Sequence, residues 1–407
     1  MDAASRKRIV ASDNSNGGDE DRLSELPDAL IHTILTFLKA RQVVQTSVLS
    51  TRWRHLWRSV PCLDIDQSEF TENEGEKFED FADTLLAHRN GLLLDTFQLR
   101  IRGNITEHRG ATRWIRRGLK CSPKELYFYD RVCCYVNAPM PKLDSNASFL
   151  RKLHLYNVQL YDTSSEQISS ACALLEVLEL KICRLSFQEI TLPTLKNLVV
   201  DDCILDFSED SDDDGPTDID DELRIMAPHL SHLHVVLNVN DEKFSVGAMP
   251  SLIKATISLK YNNSEKMLSN QWQVVSNLFN ATSLELSGFQ SMVMPQAELV
   301  GFPVFKNLRS LLLYKCDLSD DFELLALFLL KSPELEKLTV HCCKFREGVS
   351  ETVNLIDAQC VKLKSTKIIY GYGDCSYELI NILLNMELPT NTITLTEASS
   401  DHQPGYY

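Results

Sequence analysis

The sequence predicts an α/β protein in which a short N-terminal helical module precedes a solenoid of stacked repeats, a horseshoe with a parallel sheet on its concave face. Two patterns support this prediction. A segment dense in leucine, valine and tryptophan begins near residue 23, and its apolar residues recur at helical spacing. Beyond it, the pattern L-x-x-L-x-L recurs at intervals of about 20–29 residues, which is typical of a repeat array.

Three short helices are predicted in the N-terminal module. The first opens at Pro27, and its apolar residues share one helical stripe. The third carries two tryptophans and ends before Pro61. A bundle of about 40 residues cannot hide this much apolar surface. The module therefore either packs on the rest of the chain or presents a docking face, and composition alone leaves both open.

The same stretch resembles the F-box, in the variant that opens many plant F-box/leucine-rich-repeat (F-box/LRR) proteins. The matching residues are LPDALIHTILTFL, VVQTSVLSTRWRHLW and VPCLDID. The resemblance implies binding to a Skp1-like adaptor and, through it, to a cullin-based ubiquitin ligase. Some matching side chains must instead hold the helices together, and the sequence does not divide them. Carried over position by position, the resemblance places on the adaptor face Leu26, Pro27, Ile31, Ile34, Leu35, Val48, Leu49, Trp53 and Trp57.

The leucine pattern itself is that of a leucine-rich repeat, with one strand predicted in each unit. The step of 35 residues between Leu195 and Leu230 contains an acidic insertion, 206–222, with 10 acidic residues in 17. Such a run repels itself and is predicted to be a disordered loop, although it could dock a basic partner. The first positions of the pattern are Leu150, Leu175, Leu195, Leu230, Leu252, Leu308, Leu335 and Leu363.

Four of the twelve cysteines follow the repeat register. Cys183, Cys203, Cys316 and Cys343 each lie three residues after the last apolar residue of a strand, where such repeats carry Asn or Cys. A buried thiol is a small core side chain, so neither a disulfide nor a metal is needed to explain these positions. No C-x-x-C pair occurs in the chain, which argues against a zinc ribbon.

Alternation along each strand predicts the residues of the concave face. That face is a mixture of aromatic, histidine, acidic and basic side chains, which suits a protein partner better than one small molecule. His229, His232 and His234 could also bind a metal ion, but partner contacts are the favoured interpretation, and no metal site is predicted. The candidate substrate-binding residues are His154, Tyr156, His232, His234, Tyr314 and His341.

The predicted organisation has five parts. They are a disordered tail over 1–21, the F-box over 22–66, a helical linker over 67–96, the leucine-rich-repeat domain over 97–396 with its acidic insertion 206–222, and a loose tail over 397–407.

The net charge, and the absence of catalytic and phosphate-binding motifs from the sequence, limit the functions that we expect. The net charge is −16, which disfavours binding to nucleic acid or to an anionic membrane. The first 20 residues lack the apolar core of a secretory signal, and we expect a cytoplasmic or nuclear protein with reduced thiols. Phosphate-binding glycine motifs and hydrolase motifs do not occur in the sequence, so we expect neither a cofactor nor catalysis.

The sequence therefore predicts a non-catalytic substrate-recognition subunit of a Skp1–cullin–F-box ubiquitin ligase, with an unknown protein as its target. Two other functions remain open at this stage. The first is an F-box/LRR scaffold that acts with Skp1 outside a ligase. The second is a receptor gated by a small molecule, which would need a basic concave pocket.

Overall fold

The structure is a computed structural model of the 407-residue chain. The predicted N-terminal tail, most of the acidic insertion and all of the C-terminal tail beyond residue 397 lie outside the described residues. The described ranges are 25–89, 93–102, 105–131, 138–206, 222–239, 243–261, 271–290, 301–319, 323–344, 362–370 and 393–397.

Three short helices form the N-terminal module, as predicted: α1 (Asp28–Leu35), α2 (Ala40–Gln45) and α3 (Trp53–Leu56). Helix α1 begins directly after Pro27, whose ring presets the backbone and which has no N–H to satisfy. Tight 3-10 turns follow α2 and α3. The buried side chains of this small core are Ile31, Leu35, Val43, Trp53 and Val60.

Further helices connect some of the strands. Helix α4 (Gly75–Ala87) lies in the segment predicted as a helical linker, and it packs on α5 (Ile105–Leu119) through Phe78 and Trp114, whose ring centroids are 5.2 Å apart. Asp83 of α4 also accepts a hydrogen bond from Trp114 Nε1 at 3.0 Å. These helices are α4 (Gly75–Ala87), α5 (Ile105–Leu119), α6 (Asp162–Ala171), α7 (Gln271–Ser276) and α8 (Glu323–Lys331).

Strands make up most of the remaining described structure. In chain order they are β1 (Cys62–Asp66), β2 (Thr96–Ile101), β3 (Glu125–Asp130), β4 (Ala138–Pro139), β5 (Lys152–Tyr156), β6 (Val158–Leu160), β7 (Val177–Lys181), β8 (Arg184–Leu185), β9 (Glu189–Thr191), β10 (Asn197–Leu205), β11 (Glu222–Met226), β12 (His232–Val239), β13 (Lys243–Val246), β14 (Lys254–Tyr261), β15 (Ser283–Ser287), β16 (Ser310–Tyr314), β17 (Lys337–His341), β18 (Ser365–Tyr370) and β19 (Ile393–Glu397).

The main sheet is parallel, and its strands follow the chain order β1-β2-β3-β5-β7-β10-β12-β14-β15-β16-β17-β18-β19. The short strands β4, β6 and β8 pair beside it and join β10. Strands β9, β11 and β13 form a separate three-stranded parallel sheet. Because neighbouring parallel strands need a crossover between them, each strand of the main sheet belongs to a separate chain segment of similar design.

The leucines of the repeated pattern form the interior. Leu153 and Leu155 of β5 align with Leu178 and Leu180 of β7, and all four are at most 3% exposed. The same register continues through the sheet, and one buried cluster extends from Ala40 to Ile368. Each such side chain contributes about 1.5–3 kcal/mol through burial.

A ladder of backbone hydrogen bonds joins successive segments just before each strand of the main sheet. The carbonyl of Lys124 accepts from the N–H groups of Arg151 and Lys152, at 2.7 and 3.1 Å. The carbonyl of Arg151 in turn accepts from the next segment, and the series runs from Pro61 to Ser365. One carbonyl therefore satisfies two consecutive donors and sets the register of the following strand.

Several strand segments end at a residue whose backbone has a left-handed conformation, and a cysteine often follows it. Gly288 has φ +73°, and several non-glycine residues at the equivalent position, such as Ile182, are also left-handed. The next residue is Cys in four segments, and each of these thiols donates to a carbonyl of the preceding segment. The Cys203 Sγ–Leu180 O distance is 3.3 Å, and burial raises the pKa of this thiol. The four predicted cysteines are free and almost fully buried.

Strand β1 joins the helical module to the sheet. This strand lies within the range predicted as the F-box, yet it forms the first strand of the main sheet. Lys39, just before α2, forms an ion pair of 2.7 Å with the buried Asp66 of β1. The buried guanidinium of Arg89 donates to the carbonyls of Trp57 and Val60, at 3.0 and 2.5 Å. The predicted domain boundaries remain predictions, but module and sheet share a strand and a polar junction.

We expect Gly288→Ala to destabilise the protein by about 2 kcal/mol or more. The backbone at this position has a left-handed conformation, and the added methyl group would collide with the main chain of a neighbouring segment. A Cβ at Gly288 would lie 2.0 Å from the carbonyl oxygen of Leu259. Urea denaturation monitored by circular dichroism measures the change. Gly301→Ala is the control, since its Cβ would meet nothing within 4 Å. Equal stability of the two variants would contradict this account of the turn.

Candidate functional site

Five large apolar side chains of the helical module remain exposed. Leu30, Ile34 and Phe37 are 51%, 42% and 83% exposed, and their spacing places them along one side of α1 and the turn after it. Val48 and Leu49, in the turn after α2, are 85% and 61% exposed. Since Ile31 and Leu35 of α1 are buried, this helix is apolar on two sides. Its second apolar side is surface that the described residues of the chain do not cover.

The structure divides the nine residues predicted for the adaptor face. Ile31, Leu35 and Trp53 are at most 4% exposed and lie inside the module. Leu26 and Trp57 are half-buried against this core. The exposed members are Pro27, Ile34, Val48 and Leu49.

Sequence reasoning missed two exposed side chains of this surface. The prediction from sequence counts Leu30 in the apolar stripe of the first helix without placing it on the adaptor face, and it does not assign Phe37. The width of the apolar pattern in the sequence indicates this second apolar side of the helix. Adjacent apolar pairs at positions 30–31 and 34–35 cover more of a helix than one buried side requires.

The main sheet has one face of alternating, partly exposed residues, which we call the open face. The strand register aligns these residues in rows that cross the sheet. We call the first three rows, counted from the start of the strands, the three levels. On β5 the levels are Lys152, His154 and Tyr156, and on β12 the first two are His232 and His234. The six predicted substrate-binding residues all lie on this face.

The six residues form three separate groups rather than one site. His154 and Tyr156 lie on β5, while the two histidines of β12 are three strands further along the sheet. Tyr314 and His341, on β16 and β17, contact each other edge to face with ring centroids 4.8 Å apart. No cluster of three His, Cys, Asp or Glu residues suited to a metal occurs in the described part of the chain.

The group on β5 belongs to a larger aromatic cluster. The ring of Tyr127 on β3 stacks on His154, with centroids 4.0 Å apart and planes within 5°. Tyr129 extends the stack, 6.3 Å from Tyr127 and 6.0 Å from Tyr156. The prediction from sequence does not place these two tyrosines on the face. Alternation from the buried Phe128 would have found them.

Charged neighbours hold the cluster in place. His154 Nδ1 lies 2.9 Å from Glu179 Oε2, and Lys181 lies 3.5 Å from the same oxygen. The hydrogen bond with His154 lowers the pKa of Glu179, and burial opposes it. Burial raises the pKa of the Tyr127 phenol. His154 Nε2 is buried without a hydrogen-bond partner among the described residues. The result is a rigid aromatic surface with its charges paired.

Comparison with known proteins identifies the helical module. Residues 23–64 match the F-box domain. The chain is 30% identical to the meiotic F-box protein MOF of rice, over 91% of this chain and 84% of that protein. This chain belongs to the plant F-box/LRR protein family. An F-box/FBD/LRR-repeat protein of Arabidopsis thaliana is 27% identical, over 87% of this F-box protein and 85% of its own length.

Membership gives the exposed apolar surface a context. F-box domains generally mediate binding to Skp1, and proteins of this family are typically non-catalytic adaptors. An FBD-associated F-box protein of Arabidopsis thaliana also matches this F-box protein, at 29% identity over 84% of the chain and 80% of that protein. Among the described residues, no helix is both long and apolar enough to cross a membrane.

We expect the contribution of Glu179 to stability to depend on pH. Its pKa in the folded protein lies below its ordinary value of 4.5, so its stabilising effect is complete above that value and is lost as the pH falls through the lowered pKa. The stability difference between wild type and Glu179→Gln should therefore shrink below pH 4.5. Urea midpoints over a pH series measure it. A stability difference that does not change with pH would contradict this account of the His154–Glu179 contact.

Proposed function

We propose that this F-box protein is the substrate-recognition subunit of a Skp1–cullin–F-box ubiquitin ligase. In this proposal the helical module binds a Skp1-like adaptor, and the open face of the sheet binds a protein target. The protein has no catalytic role of its own. It acts in the cytoplasm, the nucleus or both.

The exposed apolar side of α1 is the observation that carries the adaptor proposal. Helix α1 already supplies Ile31 and Leu35 to the core of its own module. Retaining Leu30, Ile34 and Phe37 on the adjacent, exposed side is unfavourable for an isolated protein, since it invites aggregation. A partner that covers this side removes the cost. Large apolar and aromatic side chains are also the usual anchors of protein interfaces.

The repeats support the second half of the proposal. We infer that the strand segments form a leucine-rich-repeat solenoid, because each buries its leucines only against its neighbours. The open face is then the concave surface that such proteins use for extended partners. The stacked cluster of Tyr127, Tyr129, His154 and Tyr156 offers aromatic contact area that is already ordered, which lowers the entropy cost of binding.

The protein would act by holding its target close to a ubiquitin-loaded enzyme. The polar junction through Lys39–Asp66 and Arg89 joins the module to the first strand of the sheet. A target on the open face would therefore be held in a defined position relative to the adaptor. High effective concentration near a ubiquitin-loaded enzyme would then promote transfer to the target's lysines.

We expect Ile34→Glu combined with Phe37→Glu to weaken adaptor binding by at least about a hundredfold, because two apolar anchors are lost and two charges must be desolvated. Both side chains are exposed, so the fold and its melting temperature should change little. Trp53 is less suitable for this test, since it is 4% exposed and its loss would damage the module. Titration calorimetry with a purified Skp1-type adaptor measures the affinity.

The matched control is Phe149→Glu combined with Leu174→Glu, which charges two similarly exposed apolar side chains outside the module. This variant should bind the adaptor normally. Unchanged adaptor affinity in the module variant would reject the proposed interface. Affinity purification under proteasome inhibition, with wild type and the module variant compared, then tests the ligase role: targets should stay bound to both, and ubiquitin-modified target should be lost only with the variant.

A further inference from the structure

Most cations on the first part of the open face are paired with carboxylates. Arg100 contacts Asp64 at 2.5 Å, and Lys152 contacts Glu125 at 2.6 Å. Further along, Lys254 contacts a glutamate of the next strand at 2.9 Å. These pairs neutralise each other and leave little charge to attract a partner.

Three lysines towards the C-terminal part of the sheet differ. Lys315, Lys337 and Lys367 have no carboxylate within ion-pair distance among the described residues. Lys337 is exposed and Lys367 is half-buried on the open face. Lys315 Nζ lies over the ring of Tyr314, 5.2 Å from its centroid. In a chain with a net charge of −16, this is a local excess of positive charge.

The cross-strand neighbours of two of these lysines are hydroxyl groups rather than acids. In the register of the sheet, Lys337 lies between Ser310 and Ser365, and Lys367 lies between Thr339 and Thr394. The described open-face residues of β16, β17 and β18 include no carboxylate. Hydroxyl and ammonium groups together supply hydrogen-bond donors and positive charge, which is the chemistry that recognises an anion.

The three cations also occupy successive levels along the strands. Lys337 is on the first level, Lys367 on the second, and Lys315 reaches the third because it covers Tyr314. Each level is two residues further along a strand, a step of about 6.6 Å. Side chains on one side of an extended peptide recur at the same step. The spacing of the three levels therefore matches the spacing of side chains on one side of an extended partner segment that runs along the strands.

We propose that the open face of β16, β17 and β18 binds an extended acidic segment of a partner protein, in which Asp or Glu recurs at every second residue. The inference rests on the proposed function only in that this face is the one that meets the target. A single phosphate fits less well, since ammonium groups spread over three levels do not converge on one point. A row of carboxylates places one anion at each level.

Binding of synthetic peptides to the full-length protein tests this. The probe is a fluorescein-labelled peptide in which Glu alternates with Ser, and fluorescence anisotropy measures its affinity. Lys337→Gln combined with Lys367→Gln should weaken binding at least about tenfold, and added salt should weaken binding to the wild type, because exposed charges are screened within about 10 Å at 0.1 M salt. The same peptide with Gln in place of Glu should not bind.

The control variant is Lys120→Gln combined with Lys306→Gln, which removes two exposed lysines that lie outside the strands of the sheet. It should bind the probe like the wild type. Equal binding by both double variants, or equal binding of the Gln peptide, would overturn the proposal. So would binding of a singly phosphorylated peptide under conditions where the Glu peptide does not bind.

Adaptor affinity measured on the same samples separates this inference from the proposed function. Both lysine variants should bind the Skp1-type adaptor like the wild type, since the substituted residues lie outside the helical module. A protein that binds the adaptor but not the acidic probe overturns the acidic-segment inference alone. A protein that binds the probe but no adaptor overturns the proposed ligase role and supports the inference.

Discussion

Each strand of the main sheet depends on the segment before it. The carbonyl just before one strand accepts the two N–H groups that begin the next, and the leucines of one segment are covered by those of its neighbours. No segment of this size could satisfy its own backbone groups or bury its own apolar edge alone. The sheet is therefore cooperative over its length, and its register is set repeatedly rather than once.

The helical module depends on this sheet as well. Its last residues continue into β1, whose Asp66 pairs with Lys39, and the buried Arg89 donates to two carbonyls at the end of the module. A buried guanidinium whose partners among the described residues are carbonyls is costly to desolvate, and burial lowers the pKa of Arg89 accordingly. Such a junction holds two parts of the chain in one orientation. For a protein that must present a target near an adaptor, a fixed orientation is useful.

The open face is divided by its electrostatics. Near the module, a stacked aromatic cluster is surrounded by ion pairs such as His154–Glu179, so that contact area dominates over charge. Towards the C-terminal strands, three lysines have no carboxylate partner among the described residues; two of them lie between hydroxyl groups and the third covers Tyr314. A partner that uses both regions would combine an apolar or aromatic segment with an acidic one, which would give the complex a direction along the sheet.

The sequence by itself determined the repeat period, the inward leucines, the buried cysteines and the presence of the F-box, because these follow from spacing along the chain. Membership of the family is likewise carried by local motifs such as LPDALIHTILTFL. Only the tertiary structure decided which F-box side chains remain exposed, that β1 belongs to the sheet, and that the six candidate substrate residues form separate groups. It also decided which lysines have no carboxylate partner in the part of the chain that the structure describes. These properties depend on distances between segments far apart in the chain, and spacing within one segment contains no information about them.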